Sequence, residues 1–373
     1  MRHRSVRALA ILAAAGLAAA VTTSIAAGAG RHSHDGWQGY RQDVKHIFVI
    51  VLENHSQHSV IGDPNTPYIS SLANRYASAA DYYGVTHPSE PNYLAMISGS
   101  NWWLNQDDPS YMGDHTNLVD ELEAAHKTWG AYMEAMPPDD KTAQSWPSSS
   151  NALYANKHNP FVHFTDIVDD PARMANIKPY TSFASDLASV RTTPDFAYIV
   201  PDQCDDMHGG VYTAVPGHPE TPCPYNDTND DPADVALKQK ADAFVKSTVQ
   251  TIMASPSWHE GQDAIFVISD EGDFATNPTT GDWDSTAGCC DSPVLPAGDP
   301  DISASWPGGV YGGGLVPAVV VVNHGGKTGG YTSTTPYNHY SLLATIETVW
   351  HLPLLAYAAD TSQVTPMTEF FTK

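Results

Sequence analysis

The chain has 373 residues, 42% of them hydrophobic, and a formal net charge of −24 from 18 basic and 42 acidic side chains. A field of that sign repels nucleic acid and anionic lipid headgroups at long range, although salt screens it beyond about 8–10 Å; an anionic ligand would need a local cation, of which a metal ion is the simplest. The length fits one large domain or two smaller ones, and no internal repeat or low-complexity linker divides it.

The basic start MRHRSVR and the Ala/Leu/Ile/Val-rich stretch to Ala29 predict a secretory signal peptide over residues 1–29, with Ala27 and Ala29 suited to the peptidase. Thr22, Thr23 and Ser24 dilute the apolar run and argue against a retained anchor. Cleavage would remove Arg2, Arg4 and Arg7 and no acid, leaving −27 and one exported domain over residues 30–373. No later stretch is apolar for long enough to span a bilayer, so no stable membrane insertion is expected.

HIFVIVLE (His46 to Glu53) is a continuous apolar run, the pattern of a strand covered on both faces. YISSLANRYA follows as a helix and ADYYGVT as a strand candidate. Tyr93 to Ser98 continue as a helix that puts Ser89 at or just before its N-terminus. Asn117 to Lys127 reads as a helix capped by Asn117, DFAYIVP (Asp195 to Pro201) as a short strand, and Val235 to Ser255 as a long amphipathic helix. AIFVISDE (Ala264 to Glu271) and LVPAVVVVN (Leu315 to Asn323) are further strands, and HYSLLATIETVW (His339 to Trp350) is a last helix. The stretches Pro216 to Pro232 and Thr276 to Gly314 read as long surface loops. Buried strands alternating with helices predict an α/β fold, a mostly parallel central sheet with helices on both faces.

In that architecture ligands bind beyond the carboxyl ends of the strands, where chemically useful residues should cluster. Glu53, Asn54 and His55 follow the first strand, Asp202, Asp205, Asp206 and His208 the DFAYIV strand, Asp270, Glu271 and Asp273 the AIFVIS strand, and Asn323 and His324 the LVPAVVVV strand. Carboxylates packed together need a cation. Ser89 can cap its helix, or it can be a hydroxyl aimed and activated by such an ion. DTNDDPAD (Asp227 to Asp234) lacks the spacing of an EF-hand and reads as a solvated acidic loop.

Four cysteines in an exported chain allow three disulfide connectivities. Cys204 with Cys223 is preferred because it would clip the His208 loop, leaving Cys289 to close on Cys290; zinc is disfavoured because adjacent cysteines are not a tetrahedral ligand spacing.

THPSEPNYLAMISG, FVIVLENHS, PDQCDDMH and ISDEGD together resemble the bacterial phosphoesterase family of secreted acid phosphatases and phospholipases C over about residues 45 to 350, closest to the acid phosphatase branch. That family is related to the alkaline phosphatase superfamily, whose phosphodiesterases carry Ser/Thr-x-Pro-Asn and Ser-Asp-x-Gly segments where SEPN and SDEG stand here. The resemblance implies an alkaline-phosphatase-like α/β/α sandwich in which Glu53, Asn54, Asp270 and Glu271 hold a divalent metal with Ser89, itself the attacking group. It implies that Asp202, His208 and His339 bind phosphate or a second metal, with His208 preferred as the donor to the leaving oxygen; His87, which precedes Pro88 close to Ser89, is by its position a candidate either to pack or to contact phosphate. Glu271 stands where the superfamily usually has histidine, which favours an oxygen-liking cation over zinc; Ca, Mg, Mn, Fe and Zn all stay open. The expected activity is hydrolysis of phosphate monoesters, phosphoinositide headgroups included, through a phosphoserine. The alternatives are a phospholipase C-type diesterase and a non-catalytic secreted protein that binds a cation or a partner. Expected partners are a small phosphorylated substrate or a lipid headgroup, and no nucleic acid.

Overall fold

A computed structural model describes residues 44–107, 111–226, 228–229, 231–273, 285–299, 302 and 306–372. The signal-peptide segment 1–29 therefore lies outside the described residues, as do Asp227 and Asp230 of the acidic loop and residues 274–284, 300–301 and 303–305. Gln42–Lys373 clusters as one compact unit.

Eight strands form one sheet: β1 (Val44–Leu52), β2 (Ala77–Ala79), β3 (Trp129–Met133), β4 (Ile177–Pro179), β5 (Phe196–Val200), β6 (Gln262–Ser269), β7 (Ala318–Val322) and β8 (Tyr331–Ser333). Their spatial order is β8-β2-β7-β6-β1-β5-β3-β4. β1 lies between β5 and β6, parallel to both, and from Ile47 to Leu52 it is buried on both faces, as its unbroken apolar run demands. Phe48, Ile50 and Leu52 point to one face, where they share a core with Ile69 and Leu72 of helix α1 (Pro67–Arg75) and with Val245, Val249 and Ile252 of a long helix, Pro232–Ala254. Ile47, Val49 and Val51 point to the other face.

The longer helices after α1 are α2 (Ser89–Ser98), α3 (Leu118–Ala124), α4 (the long helix, Pro232–Ala254) and α5 (His339–Trp350). Gly99 ends α2 in the left-handed conformation at φ 69°, where a Cβ would sit 2.4 Å from the Leu355 carbonyl. Asn117 caps α3 and Asn338 caps α5, each in a reciprocal pair with the residue three positions on.

β7 departs from the expected pattern. It runs antiparallel to both β6 and β2, so its carboxyl end lies at the opposite edge from those of β1, β5 and β6. Asn323 there accepts a hydrogen bond from the Asp263 backbone at the start of β6 (2.7 Å), and neither it nor His324 joins the strand-end cluster. An apolar run carries no direction, so its pattern does not show at which edge of the sheet this pair emerges. The acidic loop also differs from expectation: Asp231 caps α4, and Asp234 is buried against His55 and Lys238 instead of solvated.

Between α3 and α5, the carboxyls of Glu121 and Glu347 each keep one buried oxygen without a hydrogen bond. Burial and then Asp120 push Glu121 up to about 7, while burial and then Glu121 hold Glu347 well above its usual range. A carboxyl raised on folding contributes stability at low pH that is lost as pH rises from its unfolded value through the folded one. Glu121→Gln should therefore raise stability by about 1 kcal/mol at pH 8 and hardly at all at pH 4.5, a difference readable in denaturant midpoints. An equal effect at both pH values would mean the Glu121 carboxyl is not raised.

Candidate active site

Leu52 and Ser269 are in register on adjacent parallel strands, so Glu53 and Asp270 leave the sheet side by side. Asn54 takes a left-handed backbone, φ 46°, which brings its N–H within 3.3 Å of Asp270 Oδ1; the Glu271 N–H donates to the same oxygen at 2.6 Å. Asp270 Oδ2, Glu53 Oε2 and the Asn54 side-chain oxygen are buried and accept no hydrogen bond, while Glu53 Oε1 faces the His158 ring. Burial and then the Glu53 and Glu271 charges push Asp270 well above the usual carboxyl range. Burial would raise Glu53 too, but the charges of His158 and Lys157 outweigh it and lower Glu53.

Ser89 is the first residue of α2, is 1% exposed, and donates its hydroxyl to Glu271 Oε1 at 2.9 Å. The Pro-Asn of SEPN has a structural job. Asn92 accepts from the N–H groups of Val85 (2.8 Å) and Thr86 (3.2 Å) and donates to the carbonyls of Thr86 (2.7 Å) and Pro88 (3.0 Å), which fixes the loop that delivers Ser89. Gly84 continues that loop so close to the sheet end that a Cβ would lie 2.8 Å from the Asp270 carbonyl.

The histidines divide by what their rings face. His87 pairs through Nδ1 with Glu271 Oε2 and donates from Nε2 to the Ser285 carbonyl at 2.6 Å; burial works against its protonation, yet Glu271 overcomes this and raises it. It therefore braces Glu271. His339 donates from Nε2 to the Asp270 carbonyl and accepts at Nδ1 from the Tyr82 hydroxyl (3.0 Å), and burial lowers it to about 4, so it braces the Asp270 backbone as a neutral ring. His208 donates from Nδ1 to the Gly209 carbonyl (2.9 Å) and turns Nε2 toward Glu53, 4.0 Å from Oε2; burial, opposed by Glu53, lowers it to about 4.

Asp202 joins a neighbouring cluster. Its carboxylate accepts from the N–H groups of Cys204 (2.9 Å) and Asp205 (3.2 Å), and its ligand atoms lie within 4.8 Å of those of Glu134 and Asp205, and of His218 and Glu220. At the first cluster Asp206 stands beside Glu53: its carbonyl accepts from the Glu53 N–H at 2.8 Å and its Oδ1 from the His208 N–H at 2.7 Å. The bridges Cys204–Cys223 and Cys289–Cys290 are both formed, and the first closes the loop that carries His208.

Two residues that no strand end announces complete the site. His158 stacks on Tyr93 of α2 at 4.9 Å and sets Nε2 2.6 Å from Glu53 Oε1. Lys157 sets Nζ 3.4 Å from Ser89 Oγ and 3.1 Å from Asp107 Oδ2. Both sit in the short 3-10 turn Asn156–His158, and the adjacent Lys-His pair in an otherwise nearly uncharged stretch, SSSNALYANKHNP, was the one available signal.

The profile described as the Phosphoesterase family matches residues 63–353, a span that holds Ser89, Lys157, His208, Asp270, Glu271 and His339 but begins after Glu53 and Asn54. A phosphatidylinositol-3-phosphatase of Mycobacterium tuberculosis is 25% identical over 321 residues, 86% of this chain and 81% of that protein. A phosphate-repressible acid phosphatase of Penicillium chrysogenum is 32% identical over 160 residues, 43% of this chain and 38% of that protein. This chain thus spans less than half the length of the fungal acid phosphatases it matches. Among solved structures, Ps i-CgsB aligns at TM-score 0.50 with 14% identity over 88% of this chain and 75% of that one, a likeness of fold alone. A Vibrio parahaemolyticus protein of the alkaline phosphatase superfamily aligns at TM-score 0.47 and 11% identity, over 83% of this chain and 67% of its own. With the family profile covering most of its length, the chain belongs to the Phosphoesterase family.

Proposed function

We propose that the chain hydrolyses phosphate monoesters, with Ser89 as nucleophile and a divalent cation held by Glu53, Asn54, Asp270 and Glu271. The observation that carries this reading is the seating of the Ser89 hydroxyl on Glu271, beside three buried oxygens, Glu53 Oε2, Asn54 Oδ1 and Asp270 Oδ2, that accept no hydrogen bond. Unsatisfied buried oxygens of this kind cost about 1–3 kcal/mol each, and a cation satisfies them together. The residues therefore fit a metal, and an all-oxygen set suits Mg, Ca or Mn better than zinc. When bound, such an ion supplies charge for a phosphoryl oxygen and lowers the cost of ionising a hydroxyl.

This chain's own groups do the rest. Glu271 holds the Ser89 proton and points Oγ toward the phosphorus, and the N-terminal end of α2 favours the anion that arrives there. His87 and His339 keep Glu271 and Asp270 from turning away. His208 has Nδ1–H committed to Gly209, so protonation adds its donor at Nε2, where a departing oxygen can take it. Because burial lowers His208 to about 4, that donor fills only as pH falls. The matches to acid phosphatases and to a phosphatidylinositol-3-phosphatase support a monoester substrate, inositol-lipid headgroups included. Among the described residues no helix is long and apolar enough to cross a membrane. The signal-peptide-like start and the two disulfides support export, which recovery of the chain from culture medium, with its new N-terminus sequenced, would check.

The deciding assay compares p-nitrophenyl phosphate, an alkyl phosphate, a short-chain phosphatidylinositol 3-phosphate, bis-p-nitrophenyl phosphate and phosphatidylcholine across pH 4–8. Monoesters should turn over at least tenfold faster than diesters, and the alkyl ester, whose leaving group needs the proton, should gain most as pH falls. Faster turnover of the diesters would replace this reading by the phospholipase C one. An alkyl-ester pH limb unchanged in His208→Asn would remove His208 as the donor.

A further inference from the structure

Resting on the phosphatase reading, we propose that Lys157 selects doubly charged phosphate monoesters over diesters, and that Asp107 seats it for that task.

The Lys157 ammonium stands 3.4 Å from the attacking Ser89 oxygen and 3.1 Å from Asp107 Oδ2. The metal-binding oxygens of Glu53 and Asp270 come from the sheet ends, whereas Lys157 enters from the turn Asn156–His158, so it offers a second positive charge on its own element. Asp107 is doubly committed: Oδ1 accepts the Glu90 N–H of the first turn of α2 at 3.1 Å while Oδ2 takes the lysine. That ties the ammonium to the same helix end that presents Ser89, which gives the flexible lysine a fixed place beside the nucleophile.

A phosphoryl group bound to Ser89 must put its non-bridging oxygens within reach of whatever lies about 3 Å from Oγ. Above its second pKa of about 6, a monoester brings three such oxygens, which share two negative charges. A diester brings two, which share one, and sets a neutral ester oxygen in the third place. An ammonium fixed beside the nucleophile therefore strengthens the monoester transition state more than the diester one.

The test measures kcat/KM of Lys157→Met for p-nitrophenyl phosphate and bis-p-nitrophenyl phosphate under identical metal loading, with the melting temperature and metal content of the variant checked alongside. The monoester rate should fall about 10²–10³-fold, as for removal of one transition-state donor, and the diester rate less than about tenfold. Inhibition by inorganic phosphate should weaken in parallel. Asp107→Asn should shift the monoester-to-diester ratio in the same direction by about tenfold, and Asp107→Glu should restore it, a recovery that a merely structural role would not produce. An equal loss for both esters would make Lys157 an activator of Ser89 and overturn the inference; an unchanged ratio with both rates intact would overturn it as well. No turnover of either ester by the unmodified, metal-loaded chain would instead remove the phosphatase reading, and the inference with it.

Discussion

Ser89→Ala is expected to lower kcat for p-nitrophenyl phosphate by more than about 10³-fold while the protein stays folded. The hydroxyl is buried, lies at the first position of α2 and meets only Glu271 Oε1 and Lys157 Nζ among the described side chains. Alanine keeps the helix and forfeits hydrogen bonds worth about 1 kcal/mol, so the melting temperature should move by only a few degrees. Acid quench of the unmodified enzyme during turnover should leave a phosphoryl group on the peptide that contains Ser89. More than a tenth of the activity remaining in purified Ser89→Ala would exclude covalent catalysis by this residue.

Exhaustive chelation should abolish turnover, with restoration by one of Mg, Ca or Mn. It should also lower the melting temperature, because the buried Glu53, Asn54 and Asp270 oxygens lose the partner that satisfies them. An ion present at a hundred times its dissociation constant adds about 2.7 kcal/mol of stability, so the shift should be several degrees. Asp270→Asn separates the two effects. It removes a ligand, so activity is lost, yet it also removes a carboxyl pressed by burial against Glu53 and Glu271, so the chelated variant should melt no lower than the chelated parent. The sign with pH is fixed: Asp270 is raised on folding, so the chelated parent loses stability as pH rises, and the variant should lose less. Full activity after chelation, with the metal content shown to be zero, would end the metal-assisted reading.

Much of this was legible in the sequence for a definite reason. β1, β5 and β6 are short apolar runs followed at once by polar residues, and a parallel sheet turns that order into a cluster at one edge. The cap at Asn117 and the start of α5 at His339 are local chemistry and needed no tertiary information. β2, β4 and β8 are three residues each and carry too little pattern to show, while β3 contains a glycine that breaks its apolar run. Strand direction is set by packing, so the apolar run shows that β7 exists but not that its carboxyl end, with Asn323, faces away from the site. Histidine roles depend on which ring nitrogen meets which oxygen, so spacing could bring His87 and His339 to the site without showing that they brace Glu271 and Asp270 from behind. Lys157 and His158 sit in a short 3-10 turn with no periodicity, and only the fold delivers them to Ser89 and Glu53.

The central position of β1 carries a consequence for biosynthesis. Its two sheet neighbours, Phe196–Val200 and Gln262–Ser269, are made long after it, and His339, which anchors Asp270, later still. Until the ribosome has passed those codons, the apolar segment VKHIFVIVL lacks the strands that flank it in the native sheet. A nascent chain halted near residue 260 should therefore be captured by chaperones or aggregate, and productive collapse should wait for nearly the whole message to be read.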